Sequence, residues 1–316
     1  MRIVVAICTY RRPDGLARLL DALVELEPPR AAPDAPPIDL RDALDVVVVD
    51  NDAAGAGLAR VRSVRAAAYP FRLHGHLEAE PGLSAARERA VAEALRLGPD
   101  LVAFLDDDEW PEPGWLAELV AVQRRHGADA VGGPTRPVFP DGTDAATRAC
   151  PYYGADLGVA DGAACRLEAG GNFLMTRAAL DAAGPPWFDP AWARTGGEDL
   201  AFFTALARRG ATMRWAARAV VHEPVAPERL DAAWLRARIV NIANTRVRIM
   251  QRLEPGPAAR AVRGAKTAAL VTVALALSGA GVASAALAER GRLLRWKAWG
   301  KLTAHAGRTA VRGEGP

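Results

Sequence analysis

One apolar run leads straight into four acidic residues: Phe104-Leu105 is followed by Asp106-Asp107-Asp108-Glu109. Adjacent carboxylates behind a buried strand repel one another, and a bound cation is the natural way to tolerate them. Oxygen ligands alone suit a hard ion such as Mg2+ or Mn2+, which could neutralise a diphosphate. A solvated acidic turn is the alternative for the same residues. An EF-hand calcium loop does not fit, because its sixth-position Gly and twelfth-position Glu are missing.

Further along, Gly196-Gly197-Glu198-Asp199 precedes Leu200, Phe203 and Leu206 at helical spacing. Acidic residues in a first helical turn favour the macrodipole; in a cleft, one of them would be a fixed general base. Gly170-Gly171-Asn172 offers a glycine pair where backbone could approach a ligand closely, or a bulge. His222, directly after an apolar stretch, reads either as a metal ligand or as a satisfied core histidine.

The elements that must position these residues are legible as alternating strands and helices. Ile3 to Ile7, Val46 to Val49 and Leu101 to Leu105 are short, rich in Val, Ile and Leu, and read as buried parallel strands. Each ends in a polar cluster: Cys8-Thr9-Tyr10, Asp50-Asn51-Asp52 and Asp106 to Glu109. In open α/β sheets that carboxyl edge is where ligands bind. Apolar residues at three- and four-residue steps predict helices over about 14–26, 84–97, 114–125 and 198–209. Pro28 to Pro37 reads as a surface loop, Gly132 to Gly171 as a less regular section, and Thr212 to Val221 as a strand. The fold class is α/β.

The chain changes character after His222, which places a boundary at residue 225. Residues 226–316 hold 16 Lys and Arg against 5 Asp and Glu, a charge of +11, which leaves −8 for residues 1–225 within a net +3. Leu230 to Leu253 reads as a basic helix. Thr267 to Ala288 then runs without a charge, flanked on both sides by Arg and Lys, with Trp296 and Trp299 beside Lys297 and Lys301. That composition suits an anionic membrane surface, by spanning or by lying on it; a soluble helical hairpin is the alternative. Nucleic acid is not expected as a partner, because no recognition motif accompanies the charge. Cys8, Cys150 and Cys165 fit neither a disulfide framework nor a zinc site, so a reducing cytoplasm is expected.

Taken in order, Val5 to Pro13, Val48 to Asp52, Glu80 to Arg87, Phe104 to Pro111, Gly170-Gly171-Asn172 and Gly197-Glu198-Asp199 resemble the family 2 glycosyltransferases of the GT-A fold, particularly bacterial exopolysaccharide enzymes of the succinoglycan type. The resemblance covers about residues 3–253. It implies a Rossmann-like mixed sheet flanked by helices over 1–225, with a helical C-terminal extension. It also implies an inverting transfer from a nucleoside diphosphate sugar, with uridine as the nucleoside, to a glycan or lipid-linked saccharide at the cytoplasmic face of the plasma membrane.

The roles it implies fall on individual residues. Thr9 and Asp50 look like the nucleoside contacts, with Tyr10 and Arg12 nearby, and Arg87 would face the diphosphate. Asp106 and Asp108 match the DxD carboxylates for ribose and metal, with Asp107, Gly171 and Asn172 counted among the donor-binding residues. Asp199 matches the catalytic base, Glu198 would orient the acceptor, and His222 falls where a further metal ligand occurs. Asn51 replaces a common second Asp, and Ala53-Ala54 replace the usual Ser-Thr.

Other classes fit less well. A nicotinamide dehydrogenase needs a glycine-rich turn after the first strand, and Cys8 to Pro13 contains no glycine. A sugar nucleotidyltransferase would need a glycine-rich, Arg-containing loop in the same place. A catalytically silent membrane-surface binding protein would have no use for Asp106, Asp108 and Asp199 together.

Overall fold

Branched aliphatic side chains pack well on a pleated surface, and the Val/Ile/Leu runs form the centre of a sheet. The computed structural model describes residues 1–32, 34–193, 195–280 and 284–310. Its strands are β1 (Ile3–Thr9), β2 (Leu44–Asp50), β3 (Arg72–Leu77), β4 (Leu101–Asp106), β5 (Trp110–Pro111), β6 (Ala130–Gly132), β7 (Thr135–Val138), β8 (Phe173–Thr176), β9 (Met213–Trp215) and β10 (Val221–Pro224). Seven of them make one sheet in the order β3-β2-β1-β4-β8-β6-β9, and β5-β10-β7 make a second, small one. The first four run parallel, while β8 is antiparallel to both of its neighbours, so the sheet is mixed.

The helices that cover this sheet are α1 (Pro13–Val24), α3 (Ala56–Ala66), α4 (Leu83–Arg96), α5 (Trp115–His126), α7 (Arg177–Ala183) and α8 (Glu198–Arg208), with single turns α2 (Leu40–Ala43) and α6 (Ala145–Arg148) in the loops. Alternation along β1 sorts the core into two layers. Ile3, Val5 and Ile7 pack with Leu16, Leu19, Leu20 and Leu23 of α1 and Trp115 of α5. Val4 and Ala6 pack on the other face with Ala86, Ala90 and Val91 of α4 and Phe203 of α8. Pro13 opens α1 at its first turn, where a missing N–H is harmless.

The register matters for function. β1 pairs with β2 so that Thr9 lies opposite Asp50, and with β4 so that Cys8 lies opposite Asp106. The three polar clusters seen in the sequence therefore share one carboxyl edge.

One expectation is revised. Thr212 to Val221 is two strands, β9 and β10, in different sheets, because a turn closed by the Ala219 N–H on the Ala216 carbonyl separates them. The uncharged 267–288 stretch holds the end of α10 (Pro257–Ala280) and the start of α11 (Ala285–His305). Residues 281–283 of that stretch, and 311–316 of the C-terminal region, lie outside the described residues.

Met1–Ala193 with Glu198–Val225 form one compact unit, and the chain from Ala226 onward, with the short segment ending at Gly197, forms another. In the second unit, α9 (Ala232–Leu253) starts at Asp231, whose carboxylate accepts from the Ala233 N–H, and α11 packs against both α9 and α10. Gly300 lets α9 and α11 meet backbone to backbone, since a Cβ there would lie 2.4 Å from the Val240 carbonyl oxygen. Among the described residues one helical segment, Pro257–Gly279, is long and apolar enough to cross a membrane by length and composition.

Candidate active site

The site is organised by Arg87, one turn into α4. Its guanidinium is buried; Nη1 donates to Glu198 Oε1 at 2.7 Å and Nη2 donates to Asp106 Oδ1 at 3.1 Å. Asp199 Oδ2 lies 3.9 Å from the same Nη1. One cation thus joins the end of β4 to the start of α8. Burial alone would depress the Arg87 pKa, but the Asp106, Glu198 and Asp199 carboxylates outweigh it and hold the group charged.

Asp199 occupies the first turn of α8, where its Oδ1 accepts from the Leu200 N–H at 2.7 Å. Burial, reinforced by the Glu198 charge and opposed by Arg87, pushes its carboxyl up to about 6. A carboxylate with that affinity is well matched to take a proton near neutral pH. Cys8, in contrast, is pushed up to about 12 by burial, so its thiol is not a nucleophile.

The acidic run divides by direction. Asp106 carries a partly exposed carboxylate, 39% accessible. Asp107 turns inward: it accepts from Thr9 Oγ1 at 2.8 Å, from the Tyr10 N–H at 3.2 Å and from Arg12 Nη1 at 3.0 Å. Burial raises its pKa, and the Thr9 bond and the Arg12 charge oppose that rise. Asp108 Oδ2 pairs with Arg12 Nη1 at 2.9 Å. Arg12 thereby ties the loop after β1 to the acidic run, and Arg11, next to it, adopts a left-handed φ of 56°. A non-glycine residue in that region stores strain of about 1–2 kcal/mol.

Asp50 is fully buried and its carboxylate is taken up by the backbone, accepting from the Asp52 and Leu58 N–H groups at 3.0 Å each. Asn172 is likewise engaged inside the protein: its Oδ1 accepts from Trp115 Nε1 at 2.8 Å, and its Nδ2 donates to the Pro134 and Ala219 carbonyls. The Gly170-Gly171 pair has a clear steric reason. A Cβ on Gly170 would stand 2.5 Å from Arg87 Nη1, and one on Gly171 would stand 2.5 Å from Glu109 Oε1.

His222 sits on β10, its Nε2 3.0 Å from Glu112 Oε1 and its ring stacked on Trp110 at 5.6 Å. The structure therefore gathers Arg87, Asp106, Glu198 and Asp199 into one group, and Thr9, Tyr10, Arg12, Asp107 and Asp108 into an adjoining one. His222 is held on the second sheet by Glu112. Sequence reading passed over Glu109 as a separate group. It is buried, accepts from the Asp106 N–H at 3.2 Å, and its pKa is raised by burial and by Asp106. Its place four residues into an acidic run hid it.

Among the described residues, no three His, Cys, Asp or Glu side chains are poised together around an ion. Asp106 and Asp108 provide oxygen donors only. That set fits a hard divalent ion which takes one or two carboxylates and completes its shell with substrate phosphates, and does not fit an ion caged wholly by protein.

The chain belongs to glycosyl transferase family 2, whose model matches residues 4–184. It is a glycosyltransferase with a mixed-sheet fold of the GT-A kind. It is 32% identical over 251 residues to the succinoglycan biosynthesis protein ExoM of Rhizobium meliloti, covering 79% of this chain and 75% of that one. Among solved structures, it is similar to the mannosyltransferase PcManGT from Pyrobaculum calidifontis, in complex with GDP-Man and Mn2+, with a TM-score of 0.63 at 20% identity, covering 96% of this chain and 87% of that one. It is also similar to S. aureus TarS 1-349 in complex with UDP, with a TM-score of 0.53 at 15% identity, covering all of this chain and 98% of that one. The chain spans 42% of a longer TarS structure. The family match ends before Glu198 and Asp199.

Proposed function

We propose that this chain is an inverting, metal-assisted glycosyltransferase of exopolysaccharide synthesis. It moves a sugar from a nucleoside diphosphate donor, with uridine as the nucleoside, to a glycan or lipid-linked saccharide. The observation that carries the reading is the Arg87 bridge, which puts Asp106 and the Glu198-Asp199 pair on one cation.

In this reading Asp199 accepts the proton of an acceptor hydroxyl as that oxygen bonds to the anomeric carbon. The bond from that carbon to the diphosphate oxygen breaks on the opposite face, and the nucleoside diphosphate leaves with the electron pair. One displacement inverts the configuration. A well-placed base contributes about 10²- to 10⁴-fold. Arg87 fixes Glu198 and adds positive charge near the departing diphosphate. Asp106 and Asp108 would hold Mg2+ or Mn2+ together with the donor phosphates, and the ion would supply neutralisation of the leaving group. Asp107, tied to Thr9 and Arg12, holds the loop after β1 in the shape that receives the nucleoside.

The basic, apolar C-terminal helices support placement at the cytoplasmic face of the membrane, peripheral or anchored through that region. The test is a screen of nucleotide sugars with purified protein and Mn2+, read by mass spectrometry, with the anomeric configuration of the product read by NMR. Transfer with inversion is expected. Retention of configuration, or no turnover of any nucleotide sugar, would overturn the reading.

A further inference from the structure

We infer that α10 and α11 lie together in the surface of one membrane leaflet, with the exposed side of α10 against the acyl chains, and that α10 does not cross the bilayer. This arrangement rests on the membrane-surface part of the proposed function.

α10 has the length and composition of a span, but α11 is fixed alongside it. Near the end of α10, Arg295 Nη1 donates to Ser278 Oγ, and a Cβ on Gly291 would lie 3.0 Å from the Ser278 nitrogen. Further back along α10, Thr267 Oγ1 lies 3.2 Å from His305 Nε2. The two helices are therefore antiparallel, and α11 from Gly291 to His305 runs level with the uncharged part of α10. That segment of α11 carries Arg292, Arg295, Lys297 and Lys301.

A spanning α10 would carry these cations into the hydrocarbon, whichever way they turned about α11. Thr267 is near the middle of Pro257–Gly279, so Lys301, one turn from His305, would sit close to the bilayer centre. Long basic side chains reach an interface only from near the ends of a span, and an ionised group at the centre is strongly disfavoured. α9, in contact with α11 at Gly300, would bring its own arginines with it.

Lying in the surface removes that conflict. Between Thr267 and Gly279 the exposed side of α10 holds Ala268, Ala269, Val273, Leu275 and Ala276, with Val273 49% and Leu275 61% accessible. On α11, Arg295, Trp299 and Leu302 follow at four- and three-residue steps and are all exposed. A tryptophan and aliphatic side chains beside a cation suit the boundary between headgroups and acyl chains. The charge of +11 on residues 226–316 complements an anionic leaflet.

The test uses the full chain in bacterial membranes, with a cysteine at either end of α10. Gly256→Cys and Gly279→Cys place it where a new Cβ meets no other atom within 4 Å. A helix between them is about 34 Å long, enough to cross a hydrocarbon core. A membrane-impermeant maleimide is applied to intact spheroplasts and to sealed inverted vesicles, and each position is read by peptide mass spectrometry. Both cysteines are expected to react in inverted vesicles and neither in spheroplasts. Reaction of either one in spheroplasts would overturn the arrangement, as would protection of either in both preparations, which marks re-entrant insertion. A chain that stays in the soluble fraction rejects the membrane part of the proposed function as well, whereas labelling from outside rejects only the lying arrangement. On purified protein, Leu275→Gln should weaken binding to vesicles of phosphatidylcholine and phosphatidylglycerol roughly tenfold. Leu157→Gln, at an exposed leucine of the other compact unit, should leave it unchanged. Equal affinities for the two variants would contradict a lipid-facing α10.

Discussion

Arg87 and Glu198, 111 positions apart in the chain, form a buried ion pair with Nη1 2.7 Å from Oε1, and the other arm of the same guanidinium holds Asp106. Removing one partner of such a pair leaves the other charged and unpaired in a dry site, which costs about 3–5 kcal/mol. Arg87→Met should therefore lower the unfolding free energy by that amount in urea and abolish transfer. Wild-type stability would show that the bridge contributes nothing.

The raised pKa of Asp199 sets a direction for pH dependence. Its folded-state value of about 6 lies above the ordinary 3.8, so the base form is lost as pH falls through 6. The turnover number should drop about tenfold per unit below that point. Stability moves the other way: this carboxyl favours the fold fully below 3.8, and that contribution is lost as pH rises through 6. Asp199→Asn should thus be at least as stable as wild type at pH 7. A flat rate profile from pH 5 to 7, measured as turnover, would contradict the assignment.

Asn172 makes three hydrogen bonds inside the fold. Asn172→Leu strands Trp115 Nε1 and the Ala219 carbonyl, while the Pro134 carbonyl keeps the Val221 N–H, so a loss of about 1–3 kcal/mol per stranded group is expected in thermal unfolding. At temperatures where the variant is folded, donor affinity should stay near wild type. A large loss of affinity with unchanged stability would make Asn172 a direct donor contact.

At Gly171, a methyl group would stand 2.5 Å from the Glu109 carboxylate. Gly171→Ala must displace that buried side chain, and overpacking of this sort destabilises by about 1–3 kcal/mol. Denaturant titration checks it, and a neutral substitution would show that Glu109 moves freely.

The strands and acidic clusters were readable in the sequence because buried parallel strands write themselves as Val/Ile/Leu runs, and register alone sets Thr9 opposite Asp50 and Cys8 opposite Asp106 at one sheet edge. β3 was not read: as an edge strand with the sequence Arg-Leu-His-Gly-His-Leu it buries little and lacks the apolar signal. The glycine pair was visible, but not its cause, since Arg87 and Glu109 reach it from distant parts of the chain. The inward turn of Asp107 was also hidden, because three adjacent Asp residues look alike until Thr9 and Arg12 select one.

Donor binding and turnover of Asp199→Asn, measured together in the presence of Mn2+, test the central claim most directly. Affinity for the nucleotide sugar should remain within about twofold of wild type while transfer falls by at least ~10²-fold. Turnover at the wild-type rate would remove Asp199 from the chemistry and with it the account of the Arg87 centre.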